Sequence, residues 1–256
     1  MKKPQLTLTK YRIPADIEGD VHFAFVSDLH GFDNDPIIEL LQEMKPDAVL
    51  VGGDFVQDEE NYEEGFSFLA RSAQLFPTFC SIGNHDLRFP GDLVAAIQET
   101  GAVVLDNAEV SYQGVWVGGL SSALHEQGLI RRHMQEQIPD MAWLESFSAR
   151  PGFKLLLCHH PEYYARYVRC FPVDLVLAGH AHGGQWCFFN RGVYAPGQGL
   201  FPKYTAGLYE NRLLVSRGIG NAVFVPRIHN PAEILSIYLE SNRGVERMET
   251  REKRAR

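Results

Sequence analysis

Cysteine is scarce in this chain: only Cys80, Cys158, Cys170 and Cys187 among 256 residues, with no two in a Cys-x-x-Cys pair. That spacing excludes a zinc knuckle and a dithiol redox motif. Cys80 and Cys158 fall inside apolar runs, where a free thiol acts as a small hydrophobe, so all four are expected to be reduced, as in the cytosol. No apolar stretch is long enough to span a bilayer. The basic opening Met1-Lys2-Lys3 has no apolar segment behind it, which argues against a secretory signal. A cytoplasmic protein is the expectation. Positive charge is short too: 24 Lys and Arg stand against 32 Asp and Glu, for a net charge of −8. A protein that coats nucleic acid needs a basic face, and there is no aromatic-plus-basic stripe for single strands. A local positive site stays open, because bound divalent cations reverse the field in a pocket. No internal repeat or Pro-, Gly- or Ser-rich linker divides the chain. Residues 1–242 are therefore expected to form one domain, followed by a charged tail over 243–256.

What is present is a recurring unit. Five times a short apolar run stops at a residue type that binds metals. VHFAFVS ends in Asp28-Leu29-His30, DAVLVGG in Asp54, and PTFCSIG in Asn84-His85-Asp86. KLLLC ends in His159-His160, and VDLVLAG in His180-Ala181-His182. Runs of that length, rich in Val, Leu, Ile and Phe, predict buried strands. Ligands gather outside the carboxyl ends of strands in open α/β sheets, so these ends predict one cluster of His, Asp and Asn.

Helical spacing predicts a helix opened by Pro36, then helices near 60–74, 91–99 and 139–148, between strands. This rhythm is that of an α/β protein. From residue 101, AVVLD, AEVSYQ and GVWVGGL read as consecutive antiparallel strands. WCFF, LLVSR and EILSIYL read as later strands, with Trp186-Cys187-Phe188-Phe189 as sheet core rather than a base-stacking platform.

A pair of cations ~3.5–4 Å apart needs a shared anion, and Asp54 behind Gly52-Gly53 suits that bridge. Taken alone, Gly-Asp reads as a loop cap. Asp28 and His30 at i, i+2 on a strand extension would face one side, as would His180 and His182. Any one of these histidines alone reads as a satisfied core or loop residue; six of the ten following strand-like runs is the signal. Asn84 can bind through its amide oxygen without adding charge. His85 is then free to act as general acid or electrostatic partner, with Asp86 fixing its tautomer through a carboxylate–histidine hydrogen bond. His159 and His160 diverge, so one is a ligand, and His159 lies nearer the strand end. Imidazole, carboxylate and amide donors suit manganese, the favoured metal, and also iron, zinc, nickel or magnesium. Arg217 reads equally as a phosphate clamp or an ion-paired surface residue. Gln185 and Tyr204 are weaker pocket candidates.

In this order and rough spacing, Asp28-Leu29-His30, Gly53-Asp54, Gly83-Asn84-His85-Asp86, His159 and Gly179-His180-Ala181-His182 resemble the signature of the calcineurin-like metallophosphoesterase superfamily. Gly183-Gly184-Gln185, residues 195–197, Val215-Ser216-Arg217-Gly218 and Asn230-Pro231-Ala232-Glu233-Ile234 resemble its bacterial YkuE/YaeI-like phosphodiesterase branch. The resemblance implies a four-layer αββα sandwich of two mixed sheets. It implies two divalent metal ions per chain, one on Asp28, His30, Asp54 and His182, the other on Asp54, Asn84, His159 and His180. His85 would meet the phosphate of a small phosphoester substrate, and a metal-bridging hydroxide would attack phosphorus in line. Some members hydrolyse simple diesters and some a lipid-linked sugar nucleotide pyrophosphate; members that serve as non-catalytic scaffolds typically lack ligands that are present here. Where many relatives have an acidic pair, this chain has Ser121-Ser122, and the insertion after it is expected to line a pocket of its own.

Overall fold

The computed structural model describes residues 6–122, 138–189, 191–221 and 226–242. In it the apolar runs become the inner strands of two six-stranded mixed sheets. The first sheet runs β1 (Leu6–Ala15), β16 (Ala232–Ser241), β2 (Val21–Val26), β3 (Ala48–Val51), β4 (Thr78–Cys80), β5 (Val103–Val104). The second runs β14 (Gly207–Tyr209), β15 (Leu213–Val215), β9 (Leu175–Ala178), β8 (Phe153–Cys158), β7 (Val115–Leu120), β6 (Ala108–Tyr112). Strands β2 to β5 are mutually parallel, as are β7, β8, β9 and β15. The antiparallel pairs are β16 with β2, β6 with β7, and β14 with β15.

Alternation along each strand builds the layers. Phe23 and Phe25 of β2 meet Leu155 and Leu157 of β8 in a core between the sheets. Ala24 and Val26 face outward and pack with Ile37 and Leu41 of helix α1 (Asn34–Met44), Phe68 of α2 (Glu63–Leu75) and Ile97 of α3 (Leu93–Glu99). On the other side Leu156 and Cys158 pack with Phe147 of α4 (Met141–Ser148) and with Tyr163 of α5 (Pro161–Tyr163), which continues as a π-helical turn through Val168. Strands covered on both faces need continuous apolar runs, which is why these were legible. The result is an αββα arrangement. Both buried cysteines sit at strand ends, and all four cysteines are free.

Four expectations are corrected. Helix α1 starts before Pro36, at Asn34, because the Asp33 carboxylate caps it by accepting the Asp35 N–H at 3.1 Å. Residues 6–15 form a ten-residue strand that the sequence reading missed; it is an edge strand, so it tolerates Pro14 and its half-exposed pattern carries little signal. AVVLD does not join the strands after it: β5 pairs parallel with β4, and the chain then crosses to the second sheet. Trp186 to Phe189 are not sheet core. They lead into a small hairpin, β10 (Cys187–Phe188) with β11 (Arg191–Gly192), followed by another, β12 (Tyr194–Ala195) with β13 (Gly199–Leu200). The tail at 243–256 and the insertion at 123–137 lie outside the described residues. Among the described residues, no helix is long and apolar enough to cross a membrane.

Candidate metal centre

Three of the five strand ends deliver their side chains by tight left-handed turns, not by strand alternation. Asp28, His30, Asp54, His180 and His182 have φ of 54°, 42°, 55°, 60° and 44°. Non-glycine residues enter this left-handed region only at a cost, and such residues concentrate at functional sites. The i, i+2 argument made from sequence is therefore replaced by backbone turns locked from several sides. The Asp28 N–H donates to the Gly53 carbonyl at 3.0 Å, and the Gly220 N–H donates to the Asp28 carbonyl at 2.6 Å. The His180 N–H donates to Asp28 Oδ1 at 3.0 Å, tying the two sheets together. Glycine is required where these turns touch. A Cβ on Gly83 would lie 2.3 Å from Asp54 Oδ1, and one on Gly179 would lie 2.4 Å from Asp28 Oδ2.

The turns bring the predicted residues into one buried cluster. Asp28, His30 and His182 form one trio whose donor atoms lie within 4.8 Å of one another, and Asp54, His159 and His180 form another. Asp54 stands between them, its Oδ2 3.1 Å from His159 Nε2 and 3.6 Å from His30 Nε2. Three ligand atoms of the cluster are buried with no hydrogen-bond partner: both ring nitrogens of His30 and Asn84 Oδ1. Buried polar groups are normally paired, so atoms of this kind, converging on two carboxylates, fit a pair of divalent cations. His159 is already oriented for that task. Its Nδ1–H donates to the Gly52 carbonyl at 2.7 Å, which aims Nε2 at Asp54.

Burial holds His30 and His180 well below the usual imidazole range, so both are neutral donors. At His159 burial acts the same way, but the charge and hydrogen bond of Asp54 outweigh it and raise its pKa to about 10. Burial likewise works to raise Asp54, yet the neighbouring His159 holds it well below the carboxylate range. The proton shared by this pair sits where a cation would bind, and cation binding displaces such protons.

His85 is half-buried, with its Nδ1–H donating to the Gln57 carbonyl at 2.7 Å and its backbone N–H to Asp54 Oδ1 at 2.8 Å. Asp86 does not touch the His85 ring, which corrects the expected carboxylate–histidine pair. Its Oδ2 accepts the N–H groups of Asp54 and Gly83, both at 2.8 Å, and its Oδ1 accepts that of Val56 at 2.9 Å. The side chain folds back because the turn at residues 83–86 sets it under these three donors. Burial and the Asp54 charge push its pKa up to about 7 against the pull of those bonds. Asp86→Ala would orphan three buried N–H groups. It should cost on the order of 3–5 kcal/mol and lower Tm by about 10 °C, measured by thermal unfolding; an unchanged Tm would refute the clamp.

Arg217 takes the ion-pair alternative: its Nη1 donates to buried Glu233 Oε1 at 2.7 Å. Gln185 supports the loop, its amide donating to Asn221 Oδ1 at 3.1 Å. Tyr204 is buried against Tyr164 and Tyr209. The cation beside the cluster is Arg227, which the sequence reading missed and for which the string offers no signal. It donates to His182 Nδ1 at 3.1 Å, and burial lowers its pKa to about 10. A cation taken on His182 Nε2 would need Nδ1 protonated and Arg227 turned aside. Given no place in the site by the sequence were Asn230, whose amide donates to the His182 carbonyl at 2.6 Å, the buried Glu162 and Ser122, and His160, which was set aside in favour of His159. His160 Nε2 pairs with Ser122 Oγ at 2.7 Å, and its Nδ1 lies 3.5 Å from Glu162 Oε1. The Ser122 hydroxyl thus supports the histidine beside His159.

The calcineurin-like phosphoesterase model matches residues 21–184, the stretch that carries every strand end described above. The chain belongs to the calcineurin-like phosphoesterase family. Among its relatives is an uncharacterized metallophosphoesterase of Helicobacter pylori (strain J99), 30% identical over 212 residues, covering 79% of this chain and 54% of the relative. Phosphodiesterase YaeI of Escherichia coli is 30% identical over 218 residues, covering 77% and 74%. UDP-2,3-diacylglucosamine pyrophosphatase LpxG of Chlamydia muridarum is 26% identical over 292 residues, covering 90% and 87%. The chain spans about half the length of the Helicobacter relatives it matches. As a member of this family it carries a buried His/Asp cluster, consistent with a dinuclear metal site.

Proposed function

We propose that the chain is a dinuclear metal-dependent phosphodiesterase acting on a small phosphoester in the cytoplasm. The carrying observation is the set of orphaned donor atoms around Asp54. In this reading Asp28, His30, Asp54 and His182 hold one cation, manganese being favoured, and Asp54, Asn84, His159 and His180 hold the other. Bound there, the pair supplies a nucleophile from water at neutral pH and positive charge for the phosphoryl oxygens. The protein does the rest. Asp54 sets the spacing, and Asp86 holds the Asp54 turn. His85, its Nδ1–H fixed on the Gln57 carbonyl, presents Nε2 to give a proton to the departing oxygen. Arg227, rather than Arg217, lies where a phosphate could be met. All ligands come from residues 28–182, with both sheets contributing, which supports one domain over 1–242.

The LpxG relative supports a second reading, a pyrophosphatase acting on a lipid-linked sugar nucleotide. A phosphomonoesterase would use the same residues. Purified protein reconstituted with manganese should hydrolyse bis-p-nitrophenyl phosphate faster than p-nitrophenyl phosphate, lose that activity to EDTA and regain it with manganese. Faster cleavage of a sugar-nucleotide pyrophosphate would favour the second reading. Inertness of the metallated protein toward all three would end the enzymatic one.

A further inference from the structure

The hairpins that follow His182 hold their largest apolar side chains out in solvent. Phe189 is 100% exposed and Phe201 is 80% exposed. Both occupy turn positions with positive φ, 51° and 53°. Glycine or asparagine takes that conformation readily, whereas a bulky ring there is an outlier. Two phenylalanines that bear backbone strain and full hydration together call for a role. Tyr194 and Leu200, directly paired across β12 and β13, are 42% and 69% exposed. Cations stand among them: Arg191 is the cross-strand partner of Phe188, and exposed Lys203, two residues after Phe201, lies 3.7 Å from Glu210 Oε1 and over the Tyr204 ring.

These side chains stand on or beside two-residue strands. A folded protein partner is met by a closely packed apolar core inside a polar rim. Isolated rings interleaved with Arg and Lys match instead the headgroup layer of a bilayer, where aromatics anchor and cations meet lipid phosphates. On a chain with a net charge of −8, any attraction to an anionic surface must be local to such cations. We propose that this face docks on an anionic phospholipid surface, with Phe189 and Phe201 entering the acyl boundary and Arg191 and Lys203 meeting the headgroups. The hairpins are rooted at the metal centre. The Val193 N–H donates to the Gly184 carbonyl at 3.0 Å, two residues beyond His182. Phe188, Phe189 and His229 line a cavity of about 280 Å³, and His229 also lines one of about 530 Å³ that holds Arg227. Docking would therefore set the membrane beside the cluster.

The test needs no turnover, so it stands or falls apart from the catalytic reading. Metal-reconstituted protein is floated with phosphatidylcholine vesicles, with and without phosphatidylglycerol. It should co-float with the phosphatidylglycerol vesicles and detach as salt is raised. Phe189→Ser combined with Phe201→Ser should lower the bound fraction about tenfold, and Arg191→Ala with Lys203→Ala should abolish the preference for phosphatidylglycerol. Circular dichroism and metal content, unchanged in both variants, confirm folding, since these side chains are exposed. Wild-type protein that floats with neither vesicle overturns the proposal, as do serine variants that bind undiminished. A wild type that is dimeric by light scattering, with serine variants monomeric, overturns it in favour of self-association.

Discussion

Replacing His85 with alanine should lower phosphodiester turnover by about 10²–10⁴-fold while both cations stay bound. The His85 backbone ties down Asp54, but that bond uses the N–H and survives the substitution. What disappears is a half-buried imidazole whose Nδ1–H is held by Gln57 and whose Nε2 is left to act. If Nε2 delivers a proton, the loss should be larger for a methyl or alkyl leaving group than for p-nitrophenolate, which departs without one. An equal loss would mean the ring acts only through charge. The ring lies edge-on to His30 at 4.5 Å, and with His30 and Asp54 it could form a metal-binding trio of its own. Metal analysis separates the roles: if His85→Ala loses a cation, His85 is a ligand, and if it turns over diesters normally, the assignment is wrong.

Asp54→Asn should empty both cation positions and lower turnover by about 10³-fold or more. The substitution is nearly isosteric, and an amide oxygen can still accept the His85 N–H, so the fold should hold. What is lost is the one negative charge between the two trios, close to both His30 and His159. Without it two cations would repel each other with no shared anion. Plasma emission measurement of bound metal after dialysis checks this directly; retention of both metals would show that Asp54 does not bridge. Asp28→Asn, which removes a ligand from the first trio alone, should spare the second cation and so serves as the comparison.

Much of this centre was legible because its strands are buried on both faces and stop abruptly. VHFAFV, AVLV and FKLLLC are almost wholly enclosed, so the residue at which each run breaks is conspicuous. The turns were not legible. Nothing in Asp28-Leu29-His30 says that both polar residues adopt left-handed φ, since that follows from contacts with residues 53, 180 and 220, far off in sequence. Asp86 was read by its neighbour His85, although its carboxylate answers to backbone N–H groups of three other positions. Arg217 follows a strand as a phosphate clamp would, yet Glu233, buried on β16, claims it. Arg227 lies in no motif and reaches His182 only because β16 returns the chain to the first sheet. The aromatic run at 186–189 has the composition of sheet core; only its position at a hairpin tip turns it outward.

The place of β16 also dictates an order of events on the ribosome. It inserts between β1 and β2, pairing with both, and Ile234, Leu235, Ile237 and Leu239 are wholly enclosed. Until residues 232–241 emerge, β1 and β2 have open edges and nothing between them, a state prone to wrong pairing during synthesis. Asn230, which pins the His182 loop, is translated just before that strand. A nascent chain can therefore complete its cation pocket only once residues 230–241 have been made, and a premature stop before residue 232 would leave a sticky, metal-poor polypeptide.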